Sequence, residues 1–120
     1  MTVKEFYENI GGSYQNALNT MMMDDFIKKM LTKFLQSDSI SNLFMAFEQK
    51  DFQKVFAAAH SLKGVLGNLA LDPLYNKVIP IVEKTRNANE NSNVDLESEM
   101  NDFRNEYNLV VVQLKKLLNM

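Results

Sequence analysis

The sequence predicts an all-α fold, an antiparallel four-helix bundle with short additional helices at the N-terminus. Three observations carry that prediction. Apolar residues recur at spacings of three and four rather than in alternation, the pattern of helices that bury one face. Glycine and proline are scarce, four and two in 120 residues, so the turn chemistry of a β-protein is missing. Finally, Leu96, Met100, Phe103, Tyr107, Val110, Leu114 and Leu117 alternate steps of four and three without exception, the seam of a long helix packed at a shallow angle on its neighbours.

The elements follow in order. Thr2 with Glu5 fits a capping box and opens a short helix through about Ile10, which Gly11-Gly12 ends. Ser13 caps a second short segment reaching Met21, Met22 and Met23. Asp24 and Asp25 favour a helix N-terminus. Phe26, Ile27, Met30, Leu31, Phe34 and Leu35 then make an apolar face wider than one packing seam needs. After the polar break Gln36-Ser37-Asp38-Ser39, Ile40, Leu43, Phe44 and Phe47 give a further helix ending near Gln49-Lys50.

Asp51 caps the next helix, whose core side reads Phe52, Val55, Phe56, Ala59, Leu62, Leu66 and Leu69 and which is expected to stop near Ala70 or Leu71. Asp72-Pro73 is a restart signal, with Asp expected at the N-cap and Pro at the first helical position. Leu74, Val78, Ile81 and Val82 carry that helix's core face, and Pro80 is expected to kink it. The polar run Asn87–Asn93 reads as an exposed loop before the last helix.

Length and composition set further bounds. The length suits a single domain, residues 1–120, able to bury a core without covalent staples. With no cysteine, neither a disulfide, a thiolate nucleophile nor a cysteine metal site is available. The formal charge of −2 and scattered basic residues lack the footprint of a nucleic-acid binder. No basic segment followed by an apolar run opens the chain and no stretch approaches a membrane span, so a cytoplasmic location is expected.

The chemistry concentrates in Ala57-Ala58-Ala59-His60-Ser61-Leu62-Lys63-Gly64-Val65-Leu66-Gly67-Asn68-Leu69-Ala70, which holds the only histidine. On a helix, His60, Gly64 and Gly67 fall along one side with Lys63 beside them. Each glycine inside a helix costs about 1 kcal/mol relative to alanine, so close approach by another body is implied. At 100° per residue His60 lies off the core stripe and faces solvent. Lys63 lies nearer the stripe's edge, its stem on the packing surface and its ammonium expected to reach towards the imidazole. The glycines also admit a plainer reading, as the crossing point of another helix or a fraying end, which suits Gly67 better than Gly64.

Ala59-His60-Ser61-Leu62-Lys63-Gly64-Val65-Leu66-Gly67 resembles the signature of histidine-containing phosphotransfer (HPt) domains, roughly A-H-x-L-K-G-x-x-G-x-x-G. Val82-Glu83 looks like that family's recurrent apolar-Glu pair in the next helix, while Ala70 stands where the family usually has its last glycine. The resemblance implies a phosphorelay intermediate in two-component signal transduction. His60 would accept a phosphoryl group from an aspartyl phosphate of a response-regulator receiver domain and pass it on, with a hybrid histidine kinase as a further partner. Lys63 would stabilise phosphoryl charge, and Gly64 and Gly67 would give the receiver access. A free imidazole titrates near about 6.5, so a neutral nucleophilic form is available at neutral pH.

By the same resemblance the helices before the His60 helix supply apolar receiver contacts. Met23, Phe26 and Met30 are assigned to such docking, although core packing would equally explain them. No cofactor is expected on this chain, and magnesium is expected on the receiver. With no phosphate-binding glycine loop, no autokinase activity is expected. The module would act as a monomer. The alternative is a non-catalytic helical adaptor that binds receivers or self-associates. A metal or haem protein fails on ligand count, and a small-molecule enzyme lacks a paired acid and base.

Overall fold

The helix starts are fixed by local hydrogen bonds. In the computed structural model, which describes residues 1–120, Thr2 Oγ1 accepts from the Glu5 N–H at 3.1 Å and Glu5 returns the bond to Thr2 N at 2.9 Å. This capping box opens α1 (Val3–Ile10), and Gly11, in the left-handed conformation at φ 74°, closes it. Ser13 Oγ accepts from Asn16 N and starts α2 (Tyr14–Met21). Then follow α3 (Asp24–Gln36), α4 (Ser39–Glu48), α5 (Phe52–Asn68), α6 (Asp72–Thr85) and α7 (Glu97–Leu118). Asp51 caps α5 by accepting from Lys54 N at 3.2 Å. Seven helices and no strand make the fold all-α.

The helices α4, α5, α6 and α7 pack each on the next. The ring closes where Phe44 of α4 meets Phe103 of α7 edge to face, with centroids 6.2 Å apart. The fourth wall is shared, because α3 continues along α7 through Phe34 and Tyr107. This division explains the broad apolar face of α3, which must meet both α2 and α7. The short helices α1 and α2 cover one end, contributing Val3, Phe6, Tyr7, Ile10, Ala17 and Met21 to a core continuous with that of the bundle. Every member of the α7 seam is buried except the half-buried Tyr107.

Two boundary details differ from expectation. The helix α5 stops at Asn68, because Ala70 turns left-handed at φ 55°. The Ala70 N–H then bonds the Gly67 carbonyl and the Leu71 N–H the Leu66 carbonyl, both at 3.1 Å, the paired closure of a Schellman motif. Ala70 thus takes the left-handed position that glycine most often fills at a helix end. Consequently Leu71 rather than Asp72 is the N-cap of α6, and Asp72 and Pro73 fall one position further in, within its first turn. As expected, Pro80 falls inside α6, which runs on to Thr85; the proline sits on the exposed face, where its missing bond is not buried.

Gly12 marks a close approach. A Cβ there would lie 2.7 Å from the carbonyl oxygen of Ala70, to which Ser13 N donates. The turn between α1 and α2 is therefore packed directly on the end of α5.

Candidate functional site

Two contacts set α5 against α6. Gly67, near the end of α5, faces Tyr75 in the first half of α6, and Phe56, near the start of α5, lies under Arg86 at the end of α6. The helices are therefore antiparallel, and the middle of α5, with His60 and Lys63, lies beside the Val82-Glu83 region.

His60 is exposed and Lys63 half-buried, while Ala59 and Leu62 on either side of the stripe are buried. Helical side chains lean towards the N-terminus, and the residue one turn back from His60 is Phe56. The two rings stack, with centroids 5.5 Å apart and planes 22° from parallel. Phe56, expected in the core, is only half-buried and forms the edge of the site. The imidazole makes no side-chain hydrogen bond within the chain, so the ring stack is its specific contact there.

Lys63 does not pair with His60. Its charge falls on Glu83 of α6, whose carboxyl is held below the usual carboxylate range first by its hydrogen bonds to Arg86 and further by the Lys63 ammonium. Arg86 Nη2 donates to Glu83 Oε1 at 2.7 Å and Nε to Oε2 at 3.2 Å, a two-pronged pair. The same guanidinium stands 5.7 Å from the Phe56 ring centre. Lys63, Glu83 and Arg86 thus carry one net positive charge between them across α5 and α6. Sequence reasoning passed over Phe56 and Arg86. The four-residue step to His60 was a usable signal for the first; nothing local in α6 signals the second.

The two glycines differ. A Cβ on Gly64 would meet nothing within 4 Å, whereas one on Gly67 would touch the Tyr75 ring at 3.4 Å. Gly64 opens to solvent and Gly67 is partly explained by helix packing.

Beside this surface lies an apolar groove of about 460 Å³ between α3 and the end of α5, lined by Phe26, Met30, Phe34, Val65 and Leu69 with Lys33 at its side. Val65, next to Gly64 in the chain, is partly exposed and joins the groove to the site. Of the three residues assigned to docking, Phe26 and Met30 line the groove; Met23 is exposed at the N-cap of α3 but lies outside the lining. No group of three or more His, Cys, Asp or Glu side chains is arranged to hold a metal ion, and no helix is long and apolar enough to cross a membrane.

Comparison with known proteins agrees with this geometry. The family model described as "Hpt domain" matches residues 22–117. Searches of curated proteins and of solved structures return no match. The matched segment takes in α3 to α6 and nearly all of α7, with His60 on its exposed face. A helical bundle matched over most of its length by that model belongs to the Hpt domain family, and its role is phosphotransfer in two-component signalling.

Proposed function

We propose that His60 is the phosphoacceptor of this domain and that it relays a phosphoryl group between receiver domains. The observation that carries the reading is an exposed imidazole one turn from an unfilled position, Gly64, on the same helix as Lys63 three residues on. In the forward step an imidazole nitrogen attacks the phosphorus of a receiver's aspartyl phosphate. The N–P bond forms as the bond from phosphorus to the carboxylate oxygen breaks, and the carboxylate leaves with the electron pair. The reverse step delivers the group to a second receiver. The chain's part is positioning and charge stabilisation, with Lys63 supplying positive charge to the phosphoryl oxygens. Magnesium, on this reading, arrives with the receiver.

Gly64 leaves space for the receiver's aspartyl loop, with Gly67 one turn along the same side. The groove lined by Phe26 and Met30 would take the receiver's apolar contacts, with the exposed Met23 outside its lining as a further contact, since adaptable methionine surfaces suit several partners. Residues 1–120 act on this reading as one phosphotransfer domain without autokinase activity.

The test is to mix the purified protein with phosphorylated receiver domains from the same source. An acid-labile, base-stable phosphoryl group on His60, absent in His60→Gln, is expected. Receiver binding without transfer would favour the non-catalytic adaptor.

A further inference from the structure

The imidazole of a phosphoacceptor must present one nitrogen along the line of the breaking bond, yet His60 makes no side-chain hydrogen bond that could hold its ring. What surrounds it is asymmetric. One turn back Phe56 stacks on it at 5.5 Å and 22°, and one turn ahead Gly64 has no side chain. A stack covers a ring's face and leaves free its edge, where both nitrogens lie.

Phe56 is itself held from the neighbouring helix. Arg86 stands over its ring at 5.7 Å, and the guanidinium is fixed by two hydrogen bonds to Glu83. From α6 to α5 the contacts run Glu83, Arg86, Phe56, His60. The plane of the imidazole is thereby referred to the rigid α5–α6 pair rather than to solvent.

We propose that Phe56 is a positioning residue for His60: its ring, pinned by Arg86, selects the imidazole orientation that meets a phosphoryl donor. This rests on the reading of His60 as phosphoacceptor. On a helix an unrestrained histidine has about four side-chain wells, two at χ1 and two at χ2. The two χ2 wells share one ring plane, so the stack selects between the χ1 wells, and doing so before the donor arrives raises the productive fraction by about twofold.

The experiment uses phosphoramidate, a small donor that needs no docking surface. The imidazole N–P bond forms as the donor's P–N bond breaks and ammonia departs. Phe56→Leu keeps apolar bulk and removes the ring, and Phe56→Tyr restores the ring. Initial rates of His60 phosphorylation are read beside the proton resonances of the imidazole, which feel the ring current of a stacked neighbour.

Phe56→Leu is expected to be about twofold slower and to shift those resonances, with Phe56→Tyr matching the parent in both. The rate ratio is expected to stay the same as the pH is varied, because orientation rather than protonation is at stake. A leucine variant with the parental rate overturns the proposal, as does a ratio that vanishes with pH or a tyrosine variant that fails to rescue. If the parent itself forms no phosphohistidine, the phosphoacceptor reading falls. The imidazole resonances then still report whether the stack exists, and their failure to move in the leucine variant overturns this inference separately.

Discussion

Tyr7 donates its buried hydroxyl to the backbone carbonyl of Leu69 at 2.7 Å, tying the first helix to the turn that ends the His60 helix. Leu69 lies at the helix end, where carbonyls have no intrahelical partner, so the bond satisfies a group that burial would otherwise leave unpaired. Tyr7→Phe is expected to destabilise the fold by about 1–2 kcal/mol in urea unfolding, the usual consequence of leaving a buried acceptor unpaired. Phosphoryl acceptance by His60 is expected to be unchanged, since the staple lies at the far end of α5.

The same residue gives the protein an alkaline limit. Burial first, and the neighbouring Asp72 carboxylate second, push the Tyr7 phenol far above its ordinary value of 10.0. The folded state therefore keeps a proton that the unfolded chain releases. Stability is full below about pH 10 and falls as the pH rises beyond it. Urea midpoints measured from neutral to strongly alkaline pH are expected to decline above that point, less steeply in Tyr7→Phe.

Lys63→Ala is expected to slow phosphoryl transfer by about tenfold and to shorten the lifetime of phospho-His60, without abolishing acceptance. Rapid-quench assays with a phosphorylated receiver measure the first, and decay of the isolated phosphoprotein the second. Removing Lys63 also takes one positive charge from the surroundings of Glu83, so Arg86 is left as its cation.

Gly64 sets stability against function. Its Cβ direction is empty, so Gly64→Ala is expected to stabilise the helix by about 0.5–1 kcal/mol. Gly64→Leu is expected to fold equally well yet to lose most transfer from receivers, while its reaction with phosphoramidate persists. Parental receiver transfer in the leucine variant would show that the opening has no part in access.

Four helix ends carry left-handed residues other than glycine, and two of them, Lys50 after α4 and Ala70 after α5, each at φ 55°, close in the same way. The Lys50 N–H bonds the Phe47 carbonyl and the Asp51 N–H that of Ala46, the same closure as at Ala70. For an exposed side chain like that of Lys50 the left-handed strain is about 1–2 kcal/mol, offset in part by the freedom glycine adds to the unfolded chain. Lys50→Gly is expected to gain about 0.5 kcal/mol in chemical denaturation.

The legible parts of this molecule were those decided within a few residues. Thr2 with Glu5, Ser13 and Asp51 announce their helices because a cap is a local hydrogen bond. The α7 seam and the exposure of His60 follow from helical periodicity. Asp72 was placed one position early because the hydrogen bonds that close α5 make Leu71 the N-cap. Phe56 was read as core because it fits the stripe. Its half-exposed ring lies under Arg86 from another helix, a relationship that no single-helix pattern contains. Likewise the influence of the Lys63 charge on Glu83 depends on α5 and α6 lying side by side.

The recognisable family segment begins at residue 22, but the hydrophobic interior does not. A fragment trimmed to that boundary would strip Phe6 and Tyr7 from α7 and from the end of α5, leaving oily surface and an orphaned carbonyl in water. Such a fragment is a poor reagent for binding assays, since stickiness at one pole would be mistaken for affinity at the histidine face.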